Sequence, residues 1–255
     1  MIKAIFLDMD DTLIVNSVFY ARAEVLLYGY LRHLGILEKE AQKVFTEIDK
    51  ELYKIHGVSK KRMPASFEAV LRHFVPDADE EMVSIVRGFA EEIFTAKAAM
   101  KPGTIEAIEL LKQHGYDLYI VTAGDRDVQE GRIASSVPFK DSFSGIYIFD
   151  KKTSETYEGI LKQLGLKPEE AVMIGDSLKS DVIPSAAAGM HAVWIEAQNY
   201  AAHHETATGL PATGAYKFSS LLEAARHIVK HGTPAAPIVL PPAPAPKKKL
   251  PPPAP

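Results

Sequence analysis

The sequence predicts an α/β fold whose parallel sheet carries an all-helical insert after its first strand. Five short apolar runs without strict alternation indicate strands that are buried on both faces. The runs cover residues 2–7, 118–121, 146–149, 171–174 and 192–195. Helical patterns separate the later runs, which favours a five-stranded parallel sheet with right-handed crossovers. From residue 15 to residue 98 helical patterns follow one another without a strand, and this span is the predicted insert.

The helices are predicted from apolar residues at helical spacing and from the signals at their ends. Those of the insert cover residues 18–34, 38–55, 64–74 and 79–98. Asp79 is placed to cap the last of them, ahead of two glutamates. Those between the later strands cover residues 104–114, 153–164 and 180–188. A glycine follows each of these three segments, and glycine at that position readily ends a helix.

The composition fits one globular core of ordinary size. The 255 residues are 47% hydrophobic and 24% charged, which excludes a disordered or collagen-like chain. The net charge of −4 does not favour a nucleic-acid partner. Because the chain has no cysteine, disulfides, thiolate zinc sites, iron–sulfur clusters and a cysteine nucleophile are excluded. Any catalysis is therefore expected from oxygen and nitrogen groups.

No segment predicts a membrane partner. The apolar stretch at residues 2–7 runs directly into Asp8 and is too short for a signal-peptide core. No stretch approaches the roughly 20 apolar residues that a membrane helix needs. We therefore expect a soluble, cytoplasmic protein.

The chain ends in a proline-rich tail, residues 232–255, which holds ten of the 17 prolines. This composition predicts a disordered tail with extended polyproline character. A protein partner for its lysine cluster at residues 247–249 and a merely solvated tail both stay open. The predicted organisation is a core of residues 1–14 and 99–231, a helical cap of residues 15–98, and this tail.

Carboxylates cluster at the predicted carboxyl ends of two strands. Asp8, Asp10 and Asp11 follow the first strand, and Asp176 and Asp181 follow the fourth. Ligands bind at such strand ends in open α/β sheets. Two carboxylates about 4 Å apart repel by roughly 4 kcal/mol at an effective dielectric near 20, so the cluster needs protons or a cation. Magnesium fits best, because it takes carboxylate and phosphate oxygens as ligands.

The remaining strand ends carry groups that suit a phosphoryl ligand. Thr122 and Ala123 follow the second predicted strand and offer a hydroxyl and backbone N–H groups. Lys151 and Lys152 follow the third strand and offer a cation. The strand ends together therefore predict a site for phosphate.

These residues resemble the motifs of the haloacid dehalogenase-like (HAD) phosphatase superfamily with a C1-type helical cap. The matching segments, in chain order, are Asp8-Met9-Asp10-Asp11-Thr12 (the DxDxT signature), Thr122, Lys152, and Gly175-Asp176 with Asp181. Lys151 competes with Lys152 for the third motif, and Lys152 is preferred because it lies immediately before a predicted helix. The resemblance implies a Rossmann-like three-layer core with strand order 5-4-1-2-3.

The resemblance also implies roles for the site residues. Asp8 attacks phosphorus and forms an aspartyl-phosphate, and Asp10 is the general acid and base. Mg²⁺ is held by Asp8, the backbone carbonyl of Asp10, and Asp176. The further residues implied are Thr122, the Ala123 N–H and Lys152 as phosphate ligands, and Thr12 and Asp181 as supporting residues. The implied function is Mg²⁺-dependent hydrolysis of a small phosphorylated metabolite.

Alternative functions stay open at this point. A phosphomutase and a dehalogenase use the same fold, and a HAD scaffold that binds partners through its cap and tail is a non-enzymatic alternative. Alternative local interpretations are capping for Asp8, Asp10, Asp11, Thr12, Thr122 and Asp181, and a solvated surface for Lys151 and Lys152. Three minor candidates have structural alternatives: His203-His204 with Glu205 (metal or loop), Lys60–Arg62 (anion contact or solvated turn), and Phe19 with Tyr20 (substrate entrance or core).

Overall fold

A computed structural model describes residues 1–138, 140–195 and 215–233. The strands are β1 (Ala4–Leu7), β2 (Asp117–Ala123), β3 (Gly145–Phe149), β4 (Ala171–Gly175), β5 (His191–Ile195) and β6 (Ala215–Phe218). They form one sheet in the order β3-β2-β1-β4-β5-β6. Every neighbouring pair is parallel, as the alternation of strands and helices predicts.

The α/β fold and the order of the first five strands are confirmed, but the predicted number of strands is wrong. The sixth strand, β6, pairs with β5 at the edge of the sheet. Its four residues are all only half-buried and include Lys217. β6 was missed because Lys217 interrupts its short apolar run. The opposite edge strand, β3, keeps an apolar run but is only partly buried, with Ile146 exposed, so the predicted burial of this run on both faces is wrong.

The helices lie on both faces of the sheet and in the segment after β1. They are α1 (Ser17–His33), α2 (Glu38–His56), α3 (Arg62–Phe74), α4 (Glu80–Thr95), α5 (Thr104–Gln113), α6 (Arg126–Ser136), α7 (Ser154–Leu164), α8 (Ile183–Ala187) and α9 (Leu221–His231). The sequence patterns did not predict α6 and α9. The helix predicted over residues 180–188 is a π-helical turn, Leu178–Val182, followed by α8.

The cap helix α4 begins as predicted and ends early. Asp79 accepts a hydrogen bond from the Met82 N–H at 2.9 Å and caps the helix. The helix ends at Thr95 instead of residue 98, because Ala96 takes an extended conformation. The Ala98 N–H then donates to Ser136 Oγ at 3.0 Å, a contact outside the helix.

Three hydrophobic clusters stabilise the structure. Successive residues of β1 alternate between the sheet faces, so Ile5 and Leu7 join the cluster that contains α5 and α9, and Phe6 joins the cluster that contains α7. The cap helices α1–α4 form a third cluster of their own, centred on Phe45, Phe67 and other buried residues.

Two adjacent segments join the cap helices to the sheet. The Val15 N–H donates to the Ala99 carbonyl at 2.8 Å, and the Lys101 N–H donates to the Leu13 carbonyl at 2.9 Å. The chain therefore leaves and re-enters the sheet side by side. No helix in the described ranges is both long enough and apolar enough to cross a membrane.

Candidate active site

Asp8 lies at the carboxyl end of β1, between β1 and β4. All four residues of β1 are buried, and the Asp8 N–H donates to the Ile174 carbonyl at 2.9 Å. The chain then turns tightly, with Asp11 in the left-handed region at φ 56°. Aspartate tolerates this conformation better than most residues. The Asp11 carboxylate accepts hydrogen bonds from the backbone N–H groups of Asn16 and Ser17, as the capping alternative predicts for this residue.

Lys152 is buried and bridges the two acidic segments. Its Nζ donates to Asp8 Oδ1 at 2.6 Å, to the Val121 carbonyl at 3.3 Å and to Asp181 Oδ1. A capping box between Thr153 and Thr156 begins α7 directly after it and fixes its backbone. Lys151 is exposed, so of the two adjacent lysines only Lys152 contacts Asp8.

Asp181 is fully buried and is held from two sides. Its Oδ1 accepts from Lys152, and its Oδ2 accepts from the Ser177 N–H at 3.0 Å. Gly175 leaves room for it, because a Cβ on residue 175 would lie 2.2 Å from Asp181 Oδ2. Gly175 therefore allows the close packing of Asp181, although its neighbour in sequence is Asp176.

Substituting Gly175 with Ala is expected to lower the free energy of unfolding by about 1–3 kcal/mol, the usual cost of overpacking. Urea unfolding measures the change. The matched control is Gly159→Ala in α7, where an added Cβ meets nothing within 4 Å. That variant should gain up to about 1 kcal/mol from helix propensity. Equal stability of the two variants would contradict the packing role of Gly175.

Asp8, Asp176 and Asp181 bring carboxylate oxygens within 4.8 Å of one another. The Asp176 carboxylate makes no hydrogen bond with any other described residue, while its carbonyl accepts from Trp194 Nε1 at 2.8 Å. Burial raises the pKa of Asp8 to about 7, with Lys152 opposing. Burial, together with the charges of Asp8 and Asp181, raises the pKa of Asp176 well above its ordinary value.

These carboxylates fit a hard divalent cation. One buried lysine faces three carboxyl groups, so negative charge remains when all of them are ionised. Both oxygens of Asp181 already accept hydrogen bonds, whereas the Asp176 carboxylate is not engaged by the described residues. Asp8 and Asp176 therefore offer oxygen ligands to an ion, and Asp181 holds Lys152.

The metal-free protein is expected to lose stability as pH rises from about 4 to about 7. In that range the folded state keeps a proton on Asp8 that the unfolded state has released, so raising the pH favours unfolding. Thermal unfolding in a chelator, compared with Asp8→Asn, isolates this contribution, which should be absent from the variant. A difference between the two proteins that is independent of pH would contradict the raised pKa.

Asp10 contacts two residues that the sequence analysis missed. Arg132 Nη1 donates to both of its carboxylate oxygens at 3.0 Å, and Gln129 Nε2 donates to Oδ2 at 3.0 Å. Burial raises the pKa of Asp10, while Arg132 and Gln129 oppose the rise. Both partners lie on α6, which the apolar pattern did not predict. The spacing of Gln129, Arg132 and Ser136 along one helix face is the signal that was available.

The other predicted site residues lie near this turn and at the end of β2. Thr122 is buried near the carboxyl end of β2, and Ala123 is the last residue of that strand. Thr12 is buried, and its Oγ1 has no hydrogen-bond partner among the described residues. The histidines at positions 203 and 204, with Glu205, lie outside the described residues, as does the tail beyond residue 233.

The comparison with protein families agrees with this geometry. A family model described as haloacid dehalogenase-like hydrolase matches residues 2–189. The chain belongs to the haloacid dehalogenase-like hydrolases. A solved haloacid dehalogenase-like family hydrolase from Xanthomonas campestris has the same fold, with a TM-score of 0.74 and 23% identity over 89% of this chain and 91% of that chain.

Two curated relatives of this HAD-like hydrolase are phosphate-releasing enzymes by name. Pyrimidine 5'-nucleotidase PynA of Streptococcus pneumoniae is 26% identical over 234 residues, which cover 87% of this chain and 94% of the relative. Glyceraldehyde 3-phosphate phosphatase of Pyrococcus furiosus is 30% identical over 210 residues, which cover 78% and 83% respectively. The resemblance stated from the motifs is thereby confirmed, while the roles of the individual residues stay predictions.

The helices α1–α4, which form the predicted cap, contact the start of α6 through the turn between α2 and α3. Asp125 accepts from Ser59 Oγ at 3.3 Å and from the Lys60 N–H, and Lys60 Nζ pairs with Asp127. The solvated-turn alternative is wrong for Arg62, which is buried and donates to Asp49 at 3.2 Å. These contacts join the turn between α2 and α3 to the start of α6.

Phe19 and Tyr20 lie where the cap meets the core. Phe19 packs against two hydrophobic clusters, the one that contains α5 and α9 and the one formed by α1–α4. Tyr20 packs against the cap cluster, and burial raises the pKa of its hydroxyl, while Arg132 and Arg62 oppose the rise. The Tyr20 hydroxyl is therefore in the electrostatic environment of Asp10.

Proposed function

We propose that this HAD-like hydrolase is a Mg²⁺-dependent phosphatase that hydrolyses a phosphate monoester of a small metabolite through an aspartyl-phosphate. The observation that carries the proposal is the buried contact of Lys152 with both Asp8 and Asp181, beside the Asp176 carboxylate, which accepts no hydrogen bond from the described residues. This arrangement supports the proposal, because it brings the Asp8 carboxylate, the Lys152 ammonium group and further carboxylate oxygens together at one end of the sheet.

Asp8 is the proposed nucleophile. Lys152 holds its Oδ1, which leaves Oδ2 to attack phosphorus. As the new O–P bond forms, the bond from phosphorus to the leaving oxygen breaks, and water later releases phosphate from Asp8. Lys152, the Thr122 hydroxyl and the Ala123 N–H are the proposed donors to the phosphoryl oxygens.

Magnesium is the proposed cofactor. Asp8, Asp176 and the backbone carbonyl of Asp10 would hold it, the last of these by family resemblance. The bound ion supplies positive charge that offsets the carboxylates and the phosphoryl oxygens. The neighbouring Trp194, whose indole donates to the Asp176 carbonyl, is the single tryptophan of the chain. Its fluorescence therefore reports metal binding independently of turnover.

Asp10 is the proposed general acid and base. Its proton moves to the leaving oxygen in the first step, and its carboxylate then accepts a proton from the attacking water. A dehalogenase expels halide and needs no such donor, so the presence of a carboxyl group at position 10, which Arg132 and Gln129 contact, favours phosphate chemistry.

A small phosphorylated metabolite is the proposed substrate, with residues 15–98 as the cap that selects the leaving group. The named substrates of the two relatives are both phosphate monoesters of small molecules. Closure of a cap over such a site excludes bulk water and commits the substrate. No described feature favours a macromolecular partner over this role.

A phosphate-release screen tests the proposal. The panel is pyrimidine and purine nucleotides, sugar phosphates, glyceraldehyde 3-phosphate, phosphoglycolate and flavin mononucleotide, each with Mg²⁺ and with a chelator. We expect phosphate release only with Mg²⁺, and a Mg²⁺-dependent change in Trp194 fluorescence that Asp176→Asn removes. Isomerised sugar phosphate without free phosphate would indicate a phosphomutase. Release of halide from a haloacid would indicate a dehalogenase, and no turnover together with partner binding would favour a scaffold.

A further inference from the structure

A buried polar face of α6 lies along the junction between the sheet and the cap. Gln129, Arg132 and Ser136 occur at positions i, i+3 and i+7 of the helix, and all three are buried. Buried polar side chains are retained where they have specific partners. Each of these three contacts a group outside α6: Asp10, the α4 backbone, or the chain that leaves α4.

Arg132 spans the proposed general acid and the cap. Its Nη1 contacts both carboxylate oxygens of Asp10 at 3.0 Å, and its Nη2 donates to the Ile93 carbonyl of α4 at 2.9 Å. The side chain is 4% exposed. A guanidinium is planar and rigid, so fixing one of its nitrogens on α4 also fixes the nitrogen that faces Asp10.

Gln129 contacts Asp10 from the side of β2. Its Nε2 donates to Asp10 Oδ2 at 3.0 Å and to the Ala123 carbonyl at 2.7 Å. Gly124 makes room for this amide, because a Cβ there would lie 2.9 Å from Gln129 Nε2. Asp10 is thus tied to the end of β2 by one side chain and to the cap by the other.

We propose that Arg132 is a positioning residue that holds the Asp10 carboxyl in place for proton delivery when α4 is seated against the core. The inference rests on the proposed function, because Asp10 must deliver a proton for its position to matter. When the P–O bond of the leaving group breaks, the proton moves from Asp10 to that oxygen, and Asp10 remains as a carboxylate that contacts Arg132 through both oxygens. Loss of Arg132 should therefore slow leaving-group departure, the step that kcat/KM reports, only for substrates whose leaving group needs the proton.

A series of aryl phosphates tests this selectivity. The probes are 2,4-dinitrophenyl, 4-nitrophenyl and phenyl phosphate, in order of increasing need for a proton on the leaving oxygen. Because general acids contribute roughly 10²–10⁴-fold, Arg132→Ala should lower kcat/KM by about 100-fold on phenyl phosphate and by no more than about threefold on dinitrophenyl phosphate. Arg132→Lys keeps the positive charge but loses the planar guanidinium with its two terminal nitrogens. Its kcat/KM on phenyl phosphate should therefore lie between the values of Arg132→Ala and the wild type.

Two further variants separate positioning from general disturbance. Arg126→Ala removes an exposed arginine of the same helix that pairs with Glu130, and it should leave all three rates unchanged. Asp10→Asn with Arg132→Ala should lose no more on phenyl phosphate than Asp10→Asn alone, because Arg132 acts through Asp10. Turnover of dinitrophenyl phosphate in the same samples shows that the variants are folded and can transfer phosphate.

The outcomes distinguish a failure of the proposed role of Arg132 from a failure of the proposed phosphatase function. An equal loss of kcat/KM on all three substrates, in both Arg132 variants, would overturn the positioning role and leave the proposed phosphatase function intact. Unchanged rates would overturn it as well. If the wild-type protein with Mg²⁺ hydrolyses none of the three esters, the proposed function fails, and the role of Arg132 fails with it.

Discussion

Replacing Asp8 with asparagine is expected to abolish phosphate release, with a fall in kcat of about 10⁴-fold or more, since loss of a nucleophile elsewhere costs up to roughly 10⁶. The amide keeps the shape of the side chain and can still accept from Lys152, so the site persists without its nucleophile. Turnover of the best substrate from the screen, with saturating Mg²⁺, measures the effect.

The matched control for this variant is Asp11→Asn. Asp11 lies three residues further along and accepts from the N–H groups of Asn16 and Ser17, a role that an amide oxygen also fills. We expect this variant to keep kcat within about threefold of the wild type, as usual for exchange between good N-cap residues. Native turnover by Asp8→Asn would contradict the assigned nucleophile.

Substituting Lys152 with methionine is expected to destabilise the metal-free protein by about 3–5 kcal/mol, the usual result of removing one partner from a buried ion pair. The change leaves the buried carboxylates of Asp8 and Asp181 facing each other without their cation. Phosphate release should also fall, because a donor to the phosphoryl oxygens is lost. Urea unfolding in a chelator at pH 8 measures the stability.

Lys151→Met is the matched control for Lys152. Residue 151 is exposed, and such surface substitutions change stability by no more than about 0.5 kcal/mol. Adding Asp181→Asn to Lys152→Met should recover part of the lost stability, since it removes one of the uncompensated charges. Equal destabilisation by the two single variants would contradict the ion-pair role of Lys152.

The elements of the fold that could be predicted from the sequence are those that carry apolar runs or apolar helix faces. The first five strands carry apolar runs, which are largely buried in β1, β2, β4 and β5, and the order of the strands followed from the family resemblance. The helix α6 was not predicted, because its buried face consists mostly of the polar residues Gln129, Arg132 and Ser136. Its sequence therefore shows little hydrophobic periodicity. The edge strand β6 was missed because Lys217 interrupts its short apolar run.

The site was predictable where several groups converge on the strand ends. Parallel strands bring Asp8 and Asp176 to the same edge, and the structure places them together with Asp181. The contact of Asp10 with Arg132 joins residues 122 positions apart, and no local pattern marks such a pair. The choice between Lys151 and Lys152 likewise depended on which side chain turns inward.

The most direct test of the phosphatase mechanism is to trap phosphate on the protein. Enzyme mixed with its best substrate and Mg²⁺ is quenched in acid during turnover, digested, and analysed by mass spectrometry. The mechanism predicts a phosphoryl group on the carboxylate of Asp8, absent without Mg²⁺ and absent from Asp8→Asn. Rapid phosphate release that never labels Asp8, or that persists in Asp8→Asn, would contradict it.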